Sequence, residues 1–144
     1  MASWTSDVRR FLDAHRVGRL ATVGADGTPH AVPVCYALDD AGLYVVADAK
    51  PKRGPARRLA RLENLRRHPR AALVVDEYDD DWSRLRWVMV RGPVEFIREP
   101  TAHAAALTLL RARYPQYRAM PLDDLDAHPI FRLAPERVLE WSAT

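Results

Sequence analysis

The chain contains a single cysteine, Cys35, so no internal disulfide can brace it. Its flanks, Val32-Pro33-Val34 and Tyr36-Ala37-Leu38, are apolar and strand-like, which predicts a small buried hydrophobe. A reactive thiol would need an electropositive, partly exposed setting. No run of about 18 apolar residues exists, which argues against a membrane-spanning helix. The opening stretch, Met1 to Phe11, carries Asp7, Arg9 and Arg10 and lacks the apolar run and cleavage site of a secretory signal. The expectation is therefore a cytoplasmic protein.

Several chemistries are missing as well. His15, His30, His68, His103 and His128 have neither ligand spacing nor cysteine partners, which speaks against zinc. Asp79 and Asp81 imitate half of a calcium loop, but the required glycine and distal glutamate are absent. There is no P-loop, Gly-x-Gly-x-x-Gly or Gly-x-Ser-x-Gly elbow, and no acid–base carboxylate pair stands out. Any chemistry must come from a cofactor.

What remains is a chain of 144 residues, 48% hydrophobic, enough for one domain (residues 1–144) with a core that needs no metal. The net charge of +3 is modest but unevenly placed. From Lys50 to Arg70 the cations Lys50, Lys52, Arg53, Arg57, Arg58, Arg61, Arg66, Arg67 and Arg70 are opposed only by Glu63; the acidic run Asp76 to Asp81 follows. Such asymmetry implies a local anionic partner, either a phosphate-bearing cofactor or a nucleic acid backbone.

Hydrophobic spacing predicts a helix over Trp4 to His15, capped by Thr5 or Ser6, with Val8, Phe11 and Leu12 on one face. Strands follow over Arg19 to Val23, Pro29 to Leu38 and Leu43 to Ala47, joined by turns at Asp26-Gly27 and Asp39-Asp40-Ala41-Gly42. They read as a three-stranded meander. A second helix begins near Pro55 and stops at His68-Pro69. Strands over Ala71 to Asp76, Leu85 to Arg91 and Val94 to Arg98 come next, the last two joined around Gly92-Pro93. A helix over Ala102 to Tyr114 and short strands at Ile130 to Leu133 and Arg137 to Trp141 complete the chain. Six or seven antiparallel strands with three flanking helices suit a mainly β (α+β) fold, a closed or split antiparallel β-barrel.

Three constellations could carry function. Asp48-Ala-Lys-Pro-Lys-Arg-Gly-Pro55 sets three cations among stiffening prolines where a strand gives way to a helix, whose first amides would add to an anion site. A solvated basic turn is the competing reading. The strand His30-Ala31-Val32-Pro33-Val34 carries a proline that belongs at an edge or bulge, and its small neighbours could lie against a ring system. Trp82, Arg84, Arg86 and Trp87 could stack on and grip a flat heterocycle, or serve as core or dimer-interface residues. Alternation puts Arg86, Val88 and Val90 on one face, Trp87, Met89 and Arg91 on the other.

In order and spacing, Gly18-Arg-Leu-Ala-Thr-Val23, Gly27-Thr-Pro-His-Ala-Val-Pro-Val34, Asp48-Ala-Lys-Pro-Lys-Arg53, Leu62-Glu-Asn-Leu-Arg-Arg-His-Pro-Arg70 and Asp76-Glu-Tyr-Asp-Asp-Asp-Trp82, leading into Arg86-Trp-Val-Met-Val-Arg-Gly92, resemble one family. This is the pyridoxamine 5'-phosphate oxidase-like split-barrel family (FMN-binding split-barrel type), and within it the actinobacterial branch of coenzyme F420-dependent oxidoreductases. The resemblance covers about the first two thirds of the chain and is loose after Pro100.

It implies a homodimer with two cofactor sites at the subunit interface, each lined by both protomers. His30, Ala31, Val32, Pro33 and Val34 would flank the ring, with Val46 and Ala47 beneath it. Lys50, Lys52 and Arg53, helped by Arg57, would hold the phosphate. Ser83, Arg84 and Arg86 would approach from the later strand, with Trp82 or Trp87 as a stacking wall. The implied reaction is hydride transfer from reduced F420 to an unsaturated or quinone-like small molecule. FMN in place of F420, or a cofactor carrier without catalysis, are the alternatives. The arginine motif that binds substrate at the C-terminus of pyridoxamine phosphate oxidases is missing, so vitamin B6 oxidation is not implied. The arginine-rich second helix lacks a base-reading or stacking motif, which argues against nucleic acid.

Overall fold

The computed structural model describes residues 4–48, 55 and 58–144. Helix α1 (Ser6–Ala14) starts where the Thr5 hydroxyl accepts the Val8 amide at 3.1 Å, and it buries Val8, Phe11 and Leu12. Strands β1 (Gly18–Val23) and β2 (Pro29–Val34) form a hairpin. Gly27 sits in its turn at φ 84°, a conformation that favours glycine.

Next come β3 (Ala37–Asp39), β4 (Gly42–Val46), α2 (Ala60–Arg67), β5 (Arg70–Glu77) and β6 (Arg86–Phe96). Helix α3 (Pro100–Arg113), β7 (Ile130–Leu133) and β8 (Arg137–Ser142) finish the chain. The eight strands form one antiparallel sheet in the order β2-β1-β5-β6-β7-β4-β3, with β8 added to β6. This is a split antiparallel β-barrel with three flanking helices.

Strand β6 joins the two halves. Its stretch Arg86–Arg91 pairs with β8 along one edge, and Val94–Phe96 then pairs with β7 along that edge. Gly92 marks the exchange, because a Cβ there would lie 2.1 Å from the Ala134 carbonyl oxygen. One core lies beneath α1 and α2 and includes Leu20, Leu62, Leu73, Val88 and Phe131. A second lies beneath α3 and includes Val46, Leu107, Leu110, Tyr117 and Ile130.

Four features differ from the sequence expectation. The run Pro29 to Leu38 is two strands, broken at Cys35-Tyr36, so β2 and β3 occupy opposite ends of the sheet and no meander forms. At the break the Tyr36 amide donates to the Tyr114 hydroxyl at 2.9 Å, and Arg113 Nε donates to the Tyr36 carbonyl at 2.9 Å. Side chains there replace the ladder partners that every buried backbone group needs. The residues around Gly92-Pro93 do not turn: one strand runs through, its Pro93 carbonyl accepting the Ala134 amide at 3.0 Å. Helix α2 begins at Ala60, not at Pro55. The strands among the described residues number eight, where the sequence suggested six or seven.

Candidate cofactor site

The polar residues of the barrel gather where β4 ends. Asp48, 2% exposed, accepts the Tyr117 hydroxyl at 2.6 Å. Burial, then the Asp48 carboxylate, pushes the Tyr117 phenol well above its ordinary range. Cys35 also hydrogen-bonds Tyr117. It is half-buried, which corrects the expectation of a buried hydrophobe. Arg61 on α2 lies within the electrostatic reach of Asp48 and Tyr117. Desolvation lowers its pKa, and the Asp48 charge opposes that change.

One turn along the same helix face, Asn64 donates to the Thr22 hydroxyl at 3.0 Å, both residues being buried. Thr22 stands opposite His30 across the β1–β2 ladder and therefore shares its face. Along this line two buried atoms have no partner among the described residues, Arg61 Nε and His30 Nδ1. Buried polar atoms are rarely left so, and each asks for a hydrogen-bonding partner. The line thus runs from the end of β4, across the start of α2, to the open edge of the sheet at β2.

The residues expected from sequence fall into separate environments. His30 to Val34 form β2, the edge strand, as the proline at position 33 requires. Ala31 and Pro33 are exposed, His30 and Val32 half-buried, and Val34 buried. Val46 and Ala47 are buried, and Ala47 is fixed by its amide on the Pro129 carbonyl at 2.9 Å and its own carbonyl under His128 Nδ1 at 2.7 Å. Lys50, Lys52, Arg53 and Arg57 lie outside the described residues.

Ser83 binds the Asp81 carboxylate through both its hydroxyl (2.7 Å) and its amide (3.1 Å). Arg84 pairs with Asp79 at 3.4 Å, and Trp82 is 68% exposed. Arg86 turns inward, 2.9 Å from Asp7, 3.5 Å from Glu140 and with its guanidinium carbon 4.5 Å from the centre of the Phe11 ring. Trp87 faces the other way, as the alternation predicts. Arg86 and Trp87 therefore cannot approach one ligand from a common face.

Trp87 belongs to an outer sheet face that no helix among the described residues covers. Register aligns Pro33, Arg19, Val74, Met89 and Leu139 in one row, and Ala31, Ala21, Ala72, Arg91 and Arg137 in the next. Asp76, Trp87 and Trp141 form a third. Sequence reasoning missed Trp141, Asp48, Arg61, Asn64 and Tyr117. The lone acid before the cation run could have marked Asp48; nothing local marks Tyr117, 69 residues further on.

Residues 5–142 match the family model described as pyridoxamine 5'-phosphate oxidase. The 5a,11a-dehydrotetracycline/5a,11a-dehydrooxytetracycline reductase of Streptomyces rimosus is 29% identical over 136 residues, which are 91% of this chain and 78% of that one. Among solved structures, the conserved hypothetical protein Rv2991 from Mycobacterium tuberculosis superposes with a TM-score of 0.77 at 25% identity, over 99% of this chain and 87% of its own. A FAD-binding protein from Mesorhizobium loti has a TM-score of 0.66 at 28% identity, over 96% of this chain and 95% of its own.

Proposed function

Because the chain belongs to the pyridoxamine 5'-phosphate oxidase family, we propose that it is an oxidoreductase using reduced coenzyme F420 to reduce an unsaturated or quinone-like small molecule. The observation that carries this reading is the pair of orphaned buried atoms, His30 Nδ1 and Arg61 Nε, beside the edge strand β2. A flavin-type ring fits them, since its pyrimidine edge offers carbonyl oxygens and an N–H. The bound cofactor supplies hydride transfer; this chain supplies position and a dry wall.

In this reading β2 lies along the ring through His30 and Val32, the half-buried side chains on the face that His30 shares with Thr22. Lys50, Lys52 and Arg53, helped by Arg57, hold the phosphate. Asp48 anchors the strand end from which that turn departs, tied to Tyr117 at 2.6 Å. The acceptor class is supported by the Streptomyces rimosus relative, named for reduction of a dehydro compound.

A homodimer forms through the outer sheet face. Its rows of alanine, valine, methionine, leucine and tryptophan carry no helix, and a second copy would remove them from water. Trp87 and Trp141 of one copy then complete the site on the other as its stacking wall. Ser83 and Arg84, bound to Asp81 and Asp79, brace the loop beside that wall.

FMN is the second reading, favoured by the FAD-binding relative from Mesorhizobium loti. Purified protein titrated with F420, FMN and FAD and followed by fluorescence decides among them. Oxidation of reduced cofactor in the presence of quinones and enones then tests catalysis. Tight binding without turnover on the panel would make the chain a cofactor carrier, and no binding of any of the three would sink the proposal.

A further inference from the structure

On the outer face, Arg91 of β6 and Arg137 of β8 stand directly opposite each other in the antiparallel register, both exposed. Like charges in that relation are destabilising. Neither arginine has an ion-pair partner among the described residues. The acids within reach are committed elsewhere: Glu136 is held by Arg70, and Glu140 by Arg86 from the inner side. Asp76, the carboxylate in the rows of this face, is paired with Arg19 at 3.0 Å.

The surroundings raise the cost further. Ala72 in the same row, and Met89 and Leu139 in the next, offer no side-chain acceptor. If this face is the dimer interface, an isologous contact brings the same inventory from the second copy. Arg19 cancels Asp76 and Arg70 cancels Glu136 on both sides, so Arg91 and Arg137 are left in surplus on each copy. Burying such charges without a counter-ion is strongly unfavourable. The protein cannot supply the missing negative charge from this face; a ligand can.

We propose that Arg91 and Arg137 form an anion clamp on the outer sheet face that takes the negatively charged end of the cofactor bound between two copies of the chain. Two guanidinium forks on adjacent strands suit a phosphate or a carboxylate, which both accept paired N–H bonds. The clamp rests on the cofactor and dimer reading given above. It adds a second anion site to the one proposed for Lys50, Lys52 and Arg53.

The test compares wild type with the Arg91→Gln/Arg137→Gln double variant. Both side chains are exposed, so the variant should fold, and Arg91→Lys/Arg137→Lys serves as the charge-retaining control. Four ligands are titrated: FMN, riboflavin, F420 and the deazaflavin core of F420 without phosphate and tail. The clamp predicts a loss of about tenfold or more for the anionic members, with the neutral ones within about threefold, and partial rescue by lysine. Loss for both FMN and F420 identifies phosphate as the bound anion; loss for F420 alone identifies the carboxylate tail. An equal loss for charged and neutral ligands, or no loss at all, overturns the clamp while leaving the cofactor reading standing. If wild type binds none of the four, the cofactor reading fails and inorganic pyrophosphate becomes the probe. A larger rise in Tm for wild type than for the double variant then supports the clamp, and equal rises overturn it.

Discussion

The hydroxyl of Tyr114 accepts the backbone amide of Tyr36 at 2.9 Å and lies 2.8 Å from the carbonyl oxygen of the same residue. One phenol thus serves both backbone groups of a residue that has left the sheet. Tyr114→Phe keeps the ring and removes this service, so the Tyr36 amide is buried without a partner. The expected loss is about 1–3 kcal/mol, read from urea unfolding. A loss under about 0.3 kcal/mol would show that the corner finds other partners.

Tyr36 and Tyr117, with Tyr44 shifted in the same direction by burial and Asp39, contribute to alkaline stability. Burial pushes the Tyr36 phenol up, and burial with the Asp48 carboxylate pushes Tyr117 up, both from an ordinary value of 10.0. A folded-state pKa above the unfolded one gives stability that is complete below pH 10 and declines as the pH rises beyond it, because only the unfolded chain then releases the protons. The urea midpoint should therefore fall above pH 10. Absorbance of tyrosinate should show Tyr36 and Tyr117 ionising only as the protein unfolds. Ionisation of all tyrosines together, with the fold intact, would contradict this.

Gly92 has no room for a side chain. Gly92→Ala would press its methyl against the Ala134 carbonyl at the point where β6 exchanges partners. A cost of about 3 kcal/mol is expected, from thermal unfolding. Gly27→Ala, where nothing lies within 4 Å of the added carbon, should be milder and limited by its φ of 84°.

Replacing Lys50, Lys52 and Arg53 together by alanine should weaken binding of phosphate-bearing cofactor by at least about tenfold without changing stability. Unchanged affinity would remove the basic turn from the site.

Trp87→Ala and Trp141→Ala test the outer face. Each should raise the dimer dissociation constant, by about thirtyfold if the residue is an interface anchor. Sedimentation equilibrium measures this, and a wild-type monomer at micromolar concentration would end the dimer reading.

Much of the architecture was legible because its signals are local. Thr5 before an i, i+3, i+4 face gave α1, and Asp26-Gly27 gave the first hairpin. The alternation from Arg86 onward assigned both faces of β6 correctly. The break at Cys35-Tyr36 was hidden, since the residues that make it possible, Arg113 and Tyr114, lie 77 and 78 positions away. Gly92-Pro93 has the composition of a turn, and only the approach of Ala134 explains a strand there. In the site, the edge position of β2 followed from Pro33. The Asp48–Tyr117 bond and the Arg61–Asn64–Thr22 line join distant segments, so no spacing rule could reveal them.

Pro29 and Pro33 share the edge strand with Ala31 between them, and a proline is tolerated in a ladder only where its missing N–H would point away from the neighbour. Positions 29, 31 and 33 therefore turn their amide side to the open edge, and Ala31 alone keeps a donor there. A stray strand trying to extend the sheet would find one hydrogen where three are needed. The barrel can leave this flank open for a small molecule without inviting polymerisation, the hazard that unprotected sheet margins carry.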